Sequence, residues 1–117
     1  MTPPDDGTHL DPVIHAAARL KVTATLAALG PDDRIAFPRL QKLLDMTAGN
    51  LSTHLRKLED AGYVEVTKTH ERRTPATYVA LTATGRSAFR DYTAAVRRLL
   101  AGADGLVEAG TDEPGPT

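Results

Sequence analysis

Apolar residues recur along this chain with two different periods, and the switch between them divides it into elements. From Val13 to Leu29 they fall three and four apart, the spacing of an amphipathic helix. Asp11 can cap a first turn, Pro12 suits the first helical position and Gly30-Pro31 stops the run, so a helix is expected from Pro12 to Leu29. Its apolar residues cover two sides: Val13, Ala17, Leu20, Ala24 and Ala27 on one, Ile14, Ala18, Val22, Leu26 and Leu29 on the other. A small domain needs one such stripe for its own core, and the second implies an internal position or a partner helix.

Ile35-Ala36 reads as a short extended piece. Pro38 then opens a helix carrying Leu40, Leu43 and Leu44, and Asp45-Met46 turns tightly into Thr47, a good N-cap. Leu51, Leu55 and Leu58 follow at helical spacing until Gly62, where a left-handed residue costs glycine little. Two short amphipathic helices joined by a few residues form the helix-turn-helix pattern. From Tyr63 the period becomes two, with Val64 and Val66 on one face and Glu65 and Thr67 on the other. A polar stretch, Thr69 to Pro75, separates this strand from a second, Thr77 to Leu81, which predicts a long hairpin with a charged tip. Thr82 or Thr84 caps a final helix, with Phe89, Tyr92, Val96 and Leu99 in heptad-like spacing. The fold class expected is mostly α with a small β-hairpin: a winged helix-turn-helix with an added C-terminal dimerisation helix.

The 117 residues suit one domain, and the ordinary apolar and charged fractions, 41% and 25%, predict a folded chain. Charge is unevenly placed. Residues 1–11 hold three acids and no base, and residues 102–117 four acids and no base, so all 14 Lys and Arg lie between 12 and 101 against eight acids. The division expected is a flexible acidic tail over 1–11, a basic domain over 12–101 with a surplus of six positive charges, and a flexible acidic tail over 102–117. That surplus is compatible with a nucleic-acid partner. With no long apolar run and no basic-then-apolar leader, the expectation is a cytoplasmic protein with no membrane partner.

The run Met46-Thr47-Ala48-Gly49-Asn50-Leu51-Ser52-Thr53-His54-Leu55-Arg56-Lys57-Leu58-Glu59-Asp60-Ala61-Gly62-Tyr63-Val64, followed by Leu81-Thr82-Ala83-Thr84-Gly85-Arg86, closely resembles the small bacterial winged-helix transcriptional regulators related to the MarR and ArsR families. The resemblance extends over roughly residues 12–100. It implies a DNA-binding regulator, acting as a homodimer on a two-fold operator, with a recognition helix over about 47–61 and a β-wing over about 64–81. The helix itself agrees: Leu51, Leu55 and Leu58 cluster on one side, and Gly49, Asn50, Thr53, Arg56 and Lys57 fall largely on the other, with His54 on the flank. Asn and Arg can bond base edges in a major groove, and Thr or Lys can reach phosphates. The DNA-binding candidates are therefore Asn50, Thr53, His54, Arg56 and Lys57, with Arg72 and Arg73 on the wing. At the tip the chain departs from the family, whose members often carry a glycine and further arginines around the proline; here Glu71 and Thr74-Pro75-Ala76 stand instead.

Dimer contacts are expected from Val13, Ala17, Leu20 and Ala24 of the first helix and Phe89, Tyr92, Val96 and Leu99 of the last, whose surplus apolar surface a monomer would expose. The chain has no cysteine, and His9, His15, His54 and His70 include no pair four apart, so neither metal nor cofactor is expected. Without a glycine-rich phosphate loop or a nucleophile elbow, an enzyme is not expected either. Two other readings stand beside the regulator: a winged-helix interaction module without DNA binding, and a sensor of an unknown small-molecule effector. Against the sensor, the sequence shows no convergent polar pocket.

Overall fold

A computed structural model describes residues 9–111, with side chains as far as residue 103; the flexible tails expected before His9 and beyond Thr111 lie outside the described residues. The elements run α1 (Ala17–Ala27), β1 (Ile35–Ala36), α2 (Phe37–Leu44), α3 (Ala48–Asp60), β2 (Val64–Glu71), β3 (Thr74–Leu81) and α4 (Ala83–Thr111). The three strands form an antiparallel sheet in the order β1-β3-β2.

The first helix begins later than expected. Asp11 does cap a turn, its Oδ1 accepting from the Val13 amide at 2.8 Å and its carbonyl from the His15 amide at 2.7 Å. Ala16 then adopts an extended conformation (φ −130°, ψ 129°), so that turn stands apart and α1 starts at Ala17. Of its two apolar sides, the one carrying Val22 and Leu26 faces the core, continuing from Ile14, and all three are fully buried. Ala17 and Ala24 on the other side are exposed.

Leu40 of α2 and Leu51, Leu55 and Leu58 of α3 meet Val22, Leu26, Val64, Val79 and Leu81 in one core. Removing any of these leucines to alanine would cost about 2–5 kcal/mol, enough to threaten a small domain. Thr47 caps α3 as expected, its Oγ1 accepting from the Asn50 amide at 3.1 Å. Asp45 takes the left-handed turn between the helices (φ 53°) and Gly62 the one after α3 (φ 81°).

The predicted loop from Thr69 to Pro75 is instead strand. Pairing continues through Thr69↔Ala76 and His70↔Pro75 to Glu71↔Thr74, and two residues, Arg72 and Arg73, close the hairpin. Both lie in the left-handed region (φ 50° and 68°), the conformation a two-residue turn needs to match strand twist. Pro75 is tolerated because it occupies a non-hydrogen-bonded pair next to the closing one, beyond the reach of β1. Of the two capping threonines, Thr82 acts: its Oγ1 accepts from the Gly85 amide at 2.9 Å. Helix α4 continues past residue 101, where the acidic composition had suggested a tail, to Thr111. Among the described residues, no helix is long and apolar enough to cross a membrane.

Candidate nucleic-acid interface

The three buried leucines of α3 fix which side of the helix faces outward. Gly49, Asn50, Ser52, Thr53, Arg56 and Lys57 are all exposed. Among the described residues, the side chains of Asn50, Arg56, Lys57, Arg72 and Arg73 have no hydrogen-bond or ion-pair partner, leaving their donors open to a ligand. Thr53 donates its hydroxyl hydrogen back to the Gly49 carbonyl at 3.0 Å, so it retains only acceptor capacity and its methyl group. His54 is half-buried rather than merely flanking, and its Nδ1 is enclosed without a partner.

Arg56 and Lys57 diverge. Arg56 joins Ser52 and Glu59 along a groove of about 370 Å³ between α3 and the wing, whose far wall is Val66, Lys68 and Thr77 and whose floor includes Phe37 and Leu55. Lys57 instead faces a second groove with Asp60, Pro12, Val13 and Arg19. Lys68 and Ser52 were not among the residues singled out from sequence. Extending the Val64–Val66 alternation by two places Lys68 on the inward face, past the edge of the core, where it meets α3. Arg72 and Arg73 are exposed at the hairpin tip.

The end of α3 is tied to α4 by the second half of the recognised motif. The Thr82 hydroxyl donates to the Gly62 carbonyl at 2.6 Å, and the Thr82 amide donates to the Tyr63 carbonyl at 3.0 Å. Arg86 donates to the carbonyls of Ala27 (3.3 Å), Leu29 (3.3 Å) and Gly30 (3.4 Å), satisfying the C-terminal end of α1, where a cation also complements the helix dipole. This role was missed from sequence. Tyr63 donates to Asp11 Oδ2 at 2.5 Å. That bond, then burial, then the Asp11 charge push the Tyr63 phenol up to about 12.

The residues predicted for a dimer contact divide. Tyr92 is buried and shares a 2.8 Å hydrogen bond with His15 Nδ1, so its ring belongs to the interior of one chain. Val13, Leu20, Phe89 and Val96 are half-buried, Ala17 and Ala24 exposed, and Leu99 is 42% exposed beside Leu100 at 59%. A polar pocket, not expected from sequence, also forms: about 360 Å³, lined by His9, Asp11, Tyr63, Asp91, Tyr92 and Arg98, with Ala88 and Ala95.

Residues 18–100, from α1 to the middle of α4, match the winged helix DNA-binding domain family. The chain belongs to that family. An uncharacterized protein of Methanocaldococcus jannaschii is 35% identical over 80 residues, which cover 68% of this chain and 84% of that one. The structure of a transcriptional regulator homologue from Pyrococcus horikoshii OT3 superposes with a TM-score of 0.71 at 30% identity, covering 79% of this chain and 88% of that one. A MarR-family transcriptional regulator from Silicibacter pomeroyi shares the fold, with a TM-score of 0.55 at 21% identity over 90% of this chain and 62% of that one. In this fold α2 and α3 are the helix-turn-helix pair and β2–β3 is the wing.

Proposed function

We propose that this winged-helix protein is a sequence-specific transcriptional regulator that binds a palindromic operator as a homodimer. The observation that carries the reading is the outward face of α3, where Asn50 and Arg56 are exposed and without partners beside a wing ending in two exposed arginines. Asn50 and Arg56 read base edges in the major groove, Thr53, His54 and Lys57 support them from the same helix, and Arg72 and Arg73 neutralise backbone phosphates. The unit that does this is the basic stretch 12–101, flanked by acidic stretches over 1–11 and 102–117, the second of which α4 enters as far as Thr111, and it works in the cytoplasm without catalysis.

Dimerisation would join α1 and α4 of two copies through Ala17, Leu20, Ala24, Phe89, Val96 and Leu99, burying the exposed Leu99 and Leu100. Two-fold symmetry would then set the recognition helices about one DNA turn, roughly 34 Å, apart. The test is selection of bound sites from random duplex DNA at stated salt, with sedimentation of the same protein at micromolar concentration. Enrichment of a palindrome by a dimer supports the reading. A dimer that enriches no sequence favours the interaction module, and a monomer contradicts the two-fold operator.

The pocket beside α4 favours a second element, an effector site. It gathers His9 and Arg98 with Asp11 and Asp91, and it touches Tyr63, which follows the turn out of α3. A small polar molecule held there would act on the join between α3 and α4.

A further inference from the structure

Glu71 immediately precedes the wing arginines and is the single acid between residues 66 and 81. A carboxylate beside a phosphate backbone opposes the attraction that Arg72 and Arg73 supply. Strand register decides where it points. Glu71 pairs with Thr74, Thr69 with Ala76 and Thr67 with Tyr78, so these six share one face of the hairpin. Val64, Val66, Val79 and Leu81 share the opposite face, turned to the helices, and Lys68 and Thr77 continue it into the α3 groove. Glu71 is therefore on the side away from the recognition helix.

On that outer side it is held. The Tyr78 hydroxyl donates to Glu71 Oε1 at 2.7 Å, reaching toward the tip past Ala76 and Thr69. Thr69 Oγ1 is enclosed without a partner on the same face. At the other end of the array, the Arg34 guanidinium lies 4.0 Å over the centre of the Tyr78 ring. Cation, ring and carboxylate thus run in sequence from the turn before β1 to the wing tip. The Tyr78 phenol is raised above its ordinary value, first by its bond to Glu71, next by burial and by the Glu71 charge, with Arg34 acting in the opposite sense.

We propose that the Arg34–Tyr78–Glu71 array sequesters the wing's acidic charge, drawing the Glu71 carboxylate back along the outer face, toward Tyr78 and away from the tip, so that Arg72 and Arg73 meet the DNA backbone unopposed. This rests on the DNA-binding reading above. Tyr78 is then a positioning residue, which governs affinity without touching DNA.

The test is a cycle of wild type, Tyr78→Phe, Glu71→Gln and the double variant on a duplex enriched by selection, each titrated at low and high salt. Tyr78→Phe keeps the ring under Arg34 and frees the carboxylate. It is expected to weaken binding by about threefold at low salt, with the loss shrinking as salt screens the freed charge. Glu71→Gln keeps an acceptor for the hydroxyl and is expected to bind at least as tightly as wild type. Adding Tyr78→Phe to Glu71→Gln should then change nothing. Arg34→Gln repeats the cycle from the other end, with a loss in the wild-type background and none in Glu71→Gln. Wild-type affinity in Tyr78→Phe, or an equal loss with and without the carboxylate, overturns the inference while DNA binding stands. If none of the proteins binds duplex DNA, the reading beneath it fails and this inference falls with it.

Discussion

A Cβ placed on Gly85 would lie 2.1 Å from the carbonyl oxygen of Tyr63 and 2.8 Å from its carbonyl carbon. Both are backbone atoms, so no side-chain rotation relieves the overlap, and the end of the recognition helix would have to part from α4. Helix propensity alone favours alanine over glycine by about 1 kcal/mol, yet Gly85→Ala is expected to destabilise the fold by about 1–3 kcal/mol. Gly49 is the control, because a Cβ there meets nothing within 4 Å. Gly49→Ala should stabilise by about 0.5–1 kcal/mol. Urea unfolding of the two variants checks the pair, and equal stability in both would contradict the close approach.

The wing tip stores strain where contact with DNA is proposed. Arg72 and Arg73 both have positive φ, at a cost of about 1–2 kcal/mol per residue, in a turn that Asn-Gly fills with less strain. Arg72→Asn with Arg73→Gly is expected to raise stability by about 1–2 kcal/mol and to weaken binding to all sequences alike. The slope of log affinity against log salt should fall by about 2, one phosphate for each arginine. An unchanged slope would mean that the tip is an ordinary solvated turn.

Alkaline stability should report the Asp11–Tyr63 bond. The phenol is raised to about 12 in the fold from its ordinary 10, so the stabilisation is fully present below pH 10 and is lost as pH rises toward 12. Screened by solvent, this amounts to about 1 kcal/mol. Tyr63→Phe should lower stability at pH 8 by that amount and remove this component of the decline above pH 10. A decline of the same size in Tyr63→Phe would assign it to other groups.

Leu40 of α2 and the leucines of α3 were legible because their spacing repeats over whole turns, with Thr47 at one end of α3 and Gly62 after the other, whereas Leu43, in the same pattern, is 61% exposed. The start of α1 was not, since an Asp-Pro cap signal fits an isolated turn as well as a helix; only the extended Ala16 separates the two. The outer wing was unreadable for a different reason. Both faces of residues 70–75 are exposed, so no alternation of apolar and polar residues marks the pairing, and Arg-Arg is not a usual hairpin turn. Within the site, the polar face of α3 followed from its leucines, whereas the split of Arg56 from Lys57 depends on how α1 and the wing pack beside the helix. Arg86 and the polar pocket join residues far apart in sequence, which local patterns do not reveal.

If the outward face of α3 reads DNA sequence, Asn50 and Arg56 carry the readout, and the most direct test is the affinity of wild type, Asn50→Ala and Arg56→Ala for a selected duplex and for a scrambled one at the same salt. Both side chains are exposed, so the variants should unfold like wild type. Each is expected to lose about 1–3 kcal/mol on the selected duplex, the worth of a base-edge contact, with a much smaller loss on the scrambled one. Equal affinity of all three proteins for the selected duplex would contradict the account.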